Sequence, residues 1–535
     1  MDRRYFKQNI PQEDKLIMAD IKILWADDEI DLLKPQLIFL KQKGYDVATV
    51  TNGHDALEEI ETDPHIDIVF LDESMPGLTG IETLEKIKGI NSNLPVVMIT
   101  KNETEDIMEE AIGSQIADYL IKPVNPNQIL LSLKKIVDNQ RLVREKTNMD
   151  YQKEFRSILM EINEGLDLEG WVSIYQRIIN WELRLDESES TEMGDILNMQ
   201  KNQANVEFSK YVKRNYKDWI VDRPNDLIFS DTLLKKKVFP HITEGRPTFV
   251  ILLDNLRFDQ WKVIEPIITR NYRVEEEDSF LSILPTSTQY SRNSIFAGMM
   301  PADIAKHFRQ YWLNDNDEGG KNNFEDELLT NHINRAIHRD MRHKYFKVKN
   351  IAQAREIDDK ILDYTNQDLT VIVYNFIDMM SHARTEMEVL KELAGDEKAY
   401  RSLTRSWFNN SPLWSALQKL SEKDVQLFIT TDHGTIRVNQ PSKVVGDRDT
   451  TTNLRYKMGR NLKYQDGDVL AVRKPEDIGL PSTNISSSYI FATEDRFFLY
   501  PNNYNHYHRY YRDTFQHGGI SLEEMICPIV RLRSK

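Results

Sequence analysis

The sequence has 535 residues, is 40% hydrophobic and 29% charged, and carries a formal net charge of −16 at pH 7. This length is enough for about three or four domains that each bury a core, and the composition is typical of a globular protein in water. The negative charge argues against broad nonspecific DNA binding, which depends on a basic surface, although bound metal ions would still allow a nucleotide substrate.

The chain begins with a polar stretch, MDRRYFKQNIPQEDKL, that lacks the apolar centre of a signal peptide. Residues 1–18 are expected to be a leader or a non-native extension, because Met18 opens the first patterned segment. No apolar run approaches the roughly 20 residues that span a bilayer. The single cysteine, Cys527, excludes an intrachain disulfide. These features together predict a cytoplasmic protein.

Strand-like apolar runs alternate with helical segments from Ile21 to about Asp138, and the helix after the first run is expected between Leu32 and Gly44. Short runs with helices between them predict a five-stranded, doubly wound parallel sheet. The five runs are IKILWAD (21–27), DVATV (46–50), IDIVFLD (66–72), LPVVMIT (94–100) and ADYLIKP (117–123).

Polar side chains follow several of these strands. Asp27 and Asp28 end the first strand and Asp72 ends the third, while Thr100 and Lys122 end the fourth and fifth. The carboxyl ends of parallel strands meet at one edge of the sheet, so these groups should lie together. Three carboxylates suit Mg²⁺, and a nearby hydroxyl and ammonium complete the set of groups that accept and hold a phosphoryl group.

The motifs DD, LDESMPGLTG, T and YLIKP, in this order, resemble the response-regulator receiver domain, a flavodoxin-like fold, which would occupy residues 19–138. The resemblance implies that a sensor histidine kinase phosphorylates Asp72. It also implies a magnesium site and a group of switch residues. The magnesium ligands would be Asp27, Asp28, Asp72 and the backbone carbonyl of Ser74, and the switch residues would be Thr100, Tyr119 and Lys122.

Residues 139–240 are charged and rich in helix-forming residues. Phe155, Ile158, Leu159, Ile162 and Leu166 form an amphipathic stripe at helical spacing. The segment is predicted to be a helical bundle that links two domains. A more specific hypothesis is that it relays a change in dimer contact.

The strand–helix alternation returns at Pro247, with strands expected at 248–253, 371–376 and 425–430 and a helical insertion or cap at 304–365. Five segments beside apolar runs supply metal-ligand types and one hydroxyl, which is what a two-metal hydrolytic site requires. These segments are TFVILLDN, LPTST, NFIDMMSH, FITTDHG and FQHGG, and their residues are Asp254, Thr288, Asp378, His382, Asp432, His433 and His517.

The DHG and HGGISLEEM motifs resemble the PglZ-type domains of the alkaline phosphatase superfamily, which places such a domain, a large α/β fold, at 241–535. The resemblance implies two zinc ions and a Thr or Ser nucleophile. One zinc would be held by Asp378, His382 and His517, and the other by Asp254, Asp432 and His433. The segment LPTSTQYSRNSIFAG resembles the nucleophile segment of nucleotide pyrophosphatases/phosphodiesterases, which favours Thr288 and leaves Thr286 as the alternative. Arg292 and Arg309 are expected mainly in surface salt bridges, with phosphate contact as the alternative.

The whole chain resembles the PorX-type response regulators of Bacteroidetes, which are tied to control of the type IX secretion system. The resemblance implies a cytoplasmic protein that dimerises when phosphorylated, with a sigma factor or a secretion-system component as a partner. The first hypothesis is a zinc-dependent phosphodiesterase that acts on nucleotides or oligonucleotides and is controlled through Asp72. The alternative is a zinc-containing regulatory scaffold without catalysis. A DNA-binding transcription factor is disfavoured because no basic reader helix follows the receiver segment.

Overall fold

A computed structural model of the chain describes residues 21–63, 65–91, 93–101, 116–188, 191–386, 395–484 and 486–535. The leader expected at 1–18 lies outside these residues. The chain divides into two compact units, and the division falls between Asp150 and Tyr151, with a short segment from Glu187 assigned to the first unit. Each unit is described by itself below.

The first unit contains a parallel sheet of five strands in the order β2-β1-β3-β4-β5. Helices cover both faces of the sheet, so its inner strands are buried on both sides and are almost wholly apolar. This confirms the predicted flavodoxin-like fold. The strands are β1 (Lys22–Ala26), β2 (Asp46–Val50), β3 (Ile68–Asp72), β4 (Val96–Thr100) and β5 (Asp118–Ile121). Among the described residues, the α-helices between these strands are α1 (Lys34–Gln42), α2 (Gly53–Thr62) and α3 (Gly80–Ile90).

Local sequence signals explain where these helices begin. The side chain of Asn52 caps α2 by accepting a hydrogen bond from the backbone N–H of Asp55. Thr79 and Glu82 form a reciprocal capping box at the start of α3. Both caps place a helix directly after the edge of the sheet at which the acidic residues lie.

Three long helices follow, as the helical pattern predicts: α4 (Pro126–Glu164), α5 (Leu168–Glu187) and α6 (Thr191–Asp222). From Tyr151 onward they belong to the second unit, and their apolar side chains share one hydrophobic core with residues of the C-terminal sheet. Tyr175 of α5, for example, packs edge-on against Phe258, with ring centroids 6.2 Å apart. The helical residues 151–186 and 191–222 are therefore part of the same compact body as the C-terminal site, whereas the first part of α4 belongs to the first unit.

The second unit is built on a mixed six-stranded sheet in the order β7-β18-β10-β6-β9-β8. Strands β10, β6, β9 and β8 are parallel, whereas β18 and β7 pair antiparallel at one side. The six strands are β6 (Thr248–Leu253), β7 (Tyr272–Leu281), β8 (His343–Val348), β9 (Leu369–Tyr374), β10 (Gln426–Thr430) and β18 (Ile526–Ser534). Helices pack on this sheet from both sides, which gives the α/β fold that the sequence predicts.

One expectation for this unit was wrong. The segment 304–365 is not purely a helical insertion, because β8 (His343–Val348) forms an edge strand of the main sheet, paired parallel with β9. Only the last residue of β8 is fully buried. An edge strand faces solvent and keeps polar residues, so its sequence, HKYFKV, lacks the apolar run that marks a central strand.

The remaining elements of the second unit surround the main sheet. The described α-helices after β6 are α7 (Phe258–Ile268), α8 (Thr288–Ala297), α9 (Pro301–His307), α10 (Glu325–Ala336), α11 (Ile351–Lys360), α12 (Phe376–Glu386), α13 (Glu397–Asn409), α14 (Pro412–Ser421), α15 (Tyr504–Tyr511) and α16 (Leu522–Met525). Three small sheets are formed by β11 (Ile436–Arg437), β12 (Gln440–Lys443), β13 (Tyr456–Gly459), β14 (Val469–Val472), β15 (Ser488–Ala492), β16 (Arg496–Leu499) and β17 (Phe515–Gln516).

Candidate functional site

The acidic pocket of the receiver domain forms at the carboxyl edge of its sheet. One oxygen from each of Asp27, Asp28 and Asp72 lies within 4.8 Å of the others. Asp27 and Asp72 are buried, whereas Asp28 is exposed, so the pocket opens to solvent on one side. The Nζ of Lys122 lies 2.9 Å from the Oδ2 of Asp27 and 2.9 Å from the Oδ1 of Asp72. The structure thus brings together the acidic residues and the lysine expected from the sequence.

Burial and these contacts set the charges of the pocket. Burial raises the pKa of Asp72, and the hydrogen bond from Lys122 only partly offsets this. Burial would lower the pKa of Lys122, but its bonds to Asp72 and Asp27 outweigh burial and raise it. A charged ammonium between two carboxylates therefore occupies the pocket.

The other expected receiver residues lie on β4, on β5 and in the loop after β3. Thr100 ends β4, and its hydroxyl donates a hydrogen bond to the carboxylate of Glu73. Tyr119, on β5, is 38% exposed, and Ser74 is exposed in the loop after β3. A methyl group at Gly80 would lie 2.5 Å from the backbone oxygen of Asp72, so glycine is required for the start of α3 to approach this strand end.

In the C-terminal domain, three neighbouring parallel strands supply the acidic residues. Asp254 follows β6, Asp378 lies in the first turn of α12 after β9, and Asp432 follows β10. Because these strands are adjacent and parallel, their carboxyl ends meet at one edge of the sheet. The site is thus at the sheet edge where open α/β folds bind their ligands.

The first group at this edge consists of Asp254, Asp432 and His433, here called the inner triad. Its ligand atoms lie within 4.8 Å of one another, and all three residues are at most 1% exposed. Gly434 allows this turn, because a methyl group there would lie 2.0 Å from the backbone oxygen of Glu523. Burial and the neighbouring Asp254 raise the pKa of Asp432 to about 6.

The second group consists of Asp378, His382 and His517, here called the outer triad. Its ligand atoms also lie within 4.8 Å of one another. The Nε2 atoms of His382 and His517 are 3.5 Å and 3.8 Å from the Oδ1 of Asp378. The side chain of His382 is 61% exposed, so this triad faces the entrance of the site. The His517 ring stacks on the His433 ring, with centroids 4.3 Å apart, which brings the two triads into contact.

The orientation of two histidines fits metal binding. The Nδ1 of His433 lies 3.0 Å from the carbonyl oxygen of Gly434, and the Nδ1 of His517 lies 3.2 Å from that of Thr286. A carbonyl oxygen only accepts, so each Nδ1 carries the proton and each Nε2 presents a lone pair to the site. The Oδ2 of Asp432 is buried and has no hydrogen-bond partner among the described residues. Carboxylate oxygens and bare imidazole nitrogens are the donors that zinc binds, so the residues fit two such ions.

The two threonines that competed as nucleophile lie in different surroundings. The hydroxyl of Thr288, at the start of α8, is 3.1 Å from the Nε2 of His433 and 3.4 Å from the Oδ1 of Asp254. The hydroxyl of Thr286 instead donates to the carbonyl of Gly519 and accepts from the N–H of Gly518. Thr286 therefore holds the loop of His517, while Thr288 points into the inner triad.

Arg292 is not in the surface salt bridge expected from the sequence. It is 1% exposed, and its guanidinium donates to the Oδ2 of Asp254 and to the Oε1 of Glu325, each at 2.6 Å. Burial would raise the pKa of Asp254, but Arg292 and His433 outweigh burial and lower it. Arg292 thus keeps Asp254 ionised. Arg309, by contrast, is exposed.

Sequence reasoning missed Asn255, which lies between the triads and contacts both. The signal was present, since an asparagine directly after a strand-end aspartate is a residue that tolerates an unusual turn conformation. It also missed a third acidic group, Glu182, Asp259 and Glu397, which joins the linker helices to the C-terminal domain. That group is already occupied by the cationic side chains of Lys201, Arg257 and Arg401, so it is a buried ion network rather than a metal site.

Comparison with known protein families matches three successive parts of the chain. Residues 23–134 match the response regulator receiver domain. Residues 141–220 match the PorX response regulator linker domain. Residues 233–532 match the BREX system PglZ alkaline phosphatase-like domain. A receiver domain implies phosphorylation by a histidine kinase.

Curated relatives are similar over a smaller part of the chain. The transcriptional regulatory protein ZraR of Klebsiella oxytoca is 36% identical over 122 residues, which is 23% of this chain and 27% of ZraR. The CpxR homolog of Haemophilus influenzae, also a transcriptional regulatory protein, is 37% identical over 118 residues, which is 22% of this chain and 50% of that protein. The chain thus spans about a quarter to a half of the length of these relatives.

Among solved structures, the chain is similar to two receiver domain proteins. The CheY-like protein from Methanospirillum hungatei is 26% identical and covers 23% of this chain and 96% of its own, with a TM-score of 0.22. The receiver domain protein from Clostridium thermocellum is 28% identical, and the match covers 23% of this chain and 98% of that protein, also with a TM-score of 0.22.

No described helix combines the length and the hydropathy needed to cross a membrane. The PglZ match alone extends over more than half of the 535 residues, and it follows the receiver and linker matches along the chain. With these three domains in this order, the chain belongs to the PorX-type response regulators, in which a receiver domain is fused to a PglZ alkaline phosphatase-like domain.

Proposed function

We propose that this protein is a cytoplasmic response regulator whose C-terminal domain is a zinc-dependent phosphodiesterase. A sensor histidine kinase would phosphorylate Asp72 beside a magnesium ion held by Asp27, Asp28, Asp72 and the carbonyl of Ser74. The substrates would be nucleotide or oligonucleotide phosphodiesters. The observation that carries the catalytic part is the Thr288 hydroxyl, 3.1 Å from the Nε2 of His433 and 3.4 Å from the Oδ1 of Asp254 in the inner triad.

The chemistry follows from the groups at this position. Zinc ions bound by the inner and outer triads would supply the positive charge that lowers the pKa of a nearby hydroxyl and stabilises the departing oxygen. The Thr288 oxygen would then attack phosphorus in line, form an ester to the phosphoryl group and expel the alcohol of the diester. Water would attack from the opposite side, release the phosphate monoester and restore the Thr288 hydroxyl.

The chain's own residues prepare this step. The start of α8 places Thr288 at the sheet edge, and Asn322 donates to the Thr288 carbonyl at 3.0 Å, which fixes the backbone there. Arg292 keeps Asp254 ionised, and the carbonyls of Gly434 and Thr286 aim the bare nitrogens of the two histidines inward. Preorganised groups of this kind reduce the reorganisation needed in the transition state.

The test is the Thr288→Val variant, which removes the hydroxyl and keeps the shape. With bis-p-nitrophenyl phosphate as substrate, we expect kcat to fall roughly a thousandfold while bound zinc stays at about two per chain. Thr288→Ser is the matched control and should retain a large part of the activity. A Thr288→Val protein that cleaves as fast as wild type would exclude Thr288 as the nucleophile.

The Thr286→Val variant separates the two threonines. Its lost hydroxyl would loosen the Gly518–Gly519 loop, so we expect a loss of zinc from the outer triad rather than a selective loss of the chemical step. If a zinc-loaded wild-type protein cleaves no diester at all, the scaffold hypothesis replaces the enzyme.

Control of this activity is proposed from family membership. Phosphorylation of Asp72 would favour a homodimer, and the protein would act in regulation of type IX secretion with a sigma factor or a secretion-system component as partner. Sedimentation of the full chain with and without a phosphoryl donor tests the dimer. An unchanged mass at every protein concentration would remove dimerisation from the proposal.

A further inference from the structure

Asn255 occupies a special backbone conformation at the centre of the C-terminal site. It lies between Asp254 and Leu256 in the turn after β6, it is 0% exposed, and its φ angle is +66°. Asparagine is among the few residues other than glycine that adopt this left-handed conformation readily. The turn directs the backbone N–H of Asn255 to the Oδ1 of Asp432, 3.2 Å away. The backbone of Asn255 therefore contacts a carboxylate of the inner triad.

The side chain of Asn255 points to the other triad. Its Nδ2 donates to the Oδ1 of Asp378 at 3.3 Å and to the hydroxyl of Ser381 at 3.3 Å. The Ser381 hydroxyl in turn donates to the backbone carbonyl of Asp378 at 2.8 Å. One residue thus donates to a carboxylate in each triad, once through its backbone and once through its amide group.

We propose that Asn255 is a positioning residue that ties the outer triad to the inner triad and thereby sets the zinc affinity of the outer triad. The proposal rests on the proposed function only for the identity of the metal. Asn255 contacts the carboxylates and not the reacting atoms, so its role is to orient ligands.

The two triads depend on Asn255 to different degrees. The inner triad is held by several other contacts. Arg292 binds Asp254, and the Gly434 carbonyl orients His433. The hydroxyl of Thr431 also accepts a hydrogen bond from the backbone N–H of Leu256, at 3.0 Å. The outer triad includes His382, whose side chain is 61% exposed, so the orientation of Asp378 matters more to it. Hydrogen bonds that orient a metal ligand are typically worth 10- to 100-fold in metal affinity.

The two functions of Asn255 can be separated by a single substitution. Asn255→Gly keeps the left-handed backbone without strain and retains the N–H that binds Asp432, but it removes the amide that binds Asp378. An effect on the backbone would disturb both triads, whereas loss of the amide should disturb only the outer one. The substitution therefore distinguishes a positioning role from a general structural role.

The experiment is a zinc titration of the full-length protein against a competing chelator, with bound zinc counted by elemental analysis. Wild type should bind about two zinc ions per chain. In Asn255→Gly we expect one site to weaken by about 10- to 100-fold and the other to change by less than about threefold. Ser381→Ala, which removes the second acceptor of the amide, should weaken the same site by a smaller factor. Asn461→Gly is the matched control, because Asn461 is also left-handed, with φ +53°, but is exposed in the loop after β13, and its zinc binding should equal that of wild type.

Two results overturn the proposal while the proposed function stands: wild-type zinc binding in Asn255→Gly, or an equal loss from both sites. A wild-type protein that binds no zinc overturns both. If zinc binding splits as expected but wild type cleaves no diester, the proposed function fails and the role of Asn255 stands.

Discussion

The receiver pocket and the C-terminal site use the same position in two different sheets. In both, carboxylates follow neighbouring parallel strands and meet at the carboxyl edge. The difference lies in the source of positive charge. The receiver pocket contains its own cation, since Lys122 contacts Asp27 and Asp72 at 2.9 Å. The cation of the inner triad is Arg292, whose Nη1 lies 2.6 Å from the Oδ2 of Asp254 but 3.8 Å from the Oδ2 of Asp432, so Asp432 has the weaker contact with a positive charge.

This difference suits two kinds of chemistry. A pocket that contains a lysine and is open to solvent at Asp28 can take up and release a phosphoryl group. A buried triad in which one carboxylate lies 3.8 Å from its cation gains most from a tightly bound divalent ion, because burying an incompletely compensated charge is costly. In both sites the strand-end position supplies the carboxylates, and the surrounding cations determine how strongly each site depends on a bound metal ion.

The largest effects should come from isosteric substitutions that separate the two sites. Asp72→Asn should abolish phosphorylation by a small-molecule phosphoryl donor and leave bound zinc unchanged. Asp432→Asn should do the reverse, with loss of zinc from the inner triad and of diester cleavage but normal phosphorylation. Intact mass spectrometry measures the first property, and elemental analysis the second. Zinc loss in Asp72→Asn would show that the sites are not independent and would end the comparison.

The buried ion network should give the next largest effect, because it couples the linker helices to the C-terminal site. The Nζ of Lys201 lies 2.8 Å from the carboxylate of Glu397 and 3.4 Å from those of Glu182 and Glu523. In Lys201→Met these buried carboxylates lose a counter-ion, so the second unit should be destabilised by about 3–5 kcal/mol. Urea denaturation followed by circular dichroism measures this loss.

A charge-matched variant is the control for this prediction. Lys201→Met combined with Glu397→Gln removes one charge of each sign and should recover part of the lost stability. Equal stability of the single and double variants would mean that Lys201 acts through packing rather than charge. A loss of zinc in the single variant would extend the network's influence to the metal site.

Sequence patterns predicted the receiver strands and three central strands of the C-terminal sheet, together with the residues expected to bind metal, because both are local signals. Asp254, Asp378 and Asp432 stand beside apolar runs, and the order of those runs was sufficient to place them at one sheet edge. A family resemblance favoured Thr288 over Thr286, but the residues alone left both open, because the structural difference between them depends on Gly518 and Gly519, far along the chain.

The remaining features depend on long-range contacts or on backbone conformation. Lys201 and Glu397 are 196 residues apart, and no spacing rule connects them. Arg292 was expected at the surface because an arginine in a polar helix is usually exposed, but Asp254 and Glu325 enclose it. The position of Asn255 after a strand-end aspartate is a sequence signal, but its contacts with Asp378 and Asp432 depend on a left-handed turn and on residues more than 100 positions away.

The smallest expected effect is a pH dependence of the metal-free protein that originates in Asp432. Burial raises its pKa to about 6 in the folded protein, above the value of about 3.9 for an unfolded chain. Between these two values the folded state binds more protons than the unfolded state. The free energy of unfolding should therefore fall as the pH rises from about 4 to 6, by up to about 1.4 kcal/mol per unit of pKa shift.

The measurement compares urea denaturation of zinc-stripped wild type and Asp432→Asn at pH 5 and pH 7.5, since titrations of other groups cancel in the difference. Wild type should lose stability relative to the variant as the pH rises, because only wild type acquires the buried charge. Added zinc should reverse this trend in wild type, since a metal ion stabilises the ionised carboxylate and competes with protons. If Asp432→Asn follows wild type at both pH values, the burial of Asp432 does not control its charge, and the contrast between the two sites must have another cause.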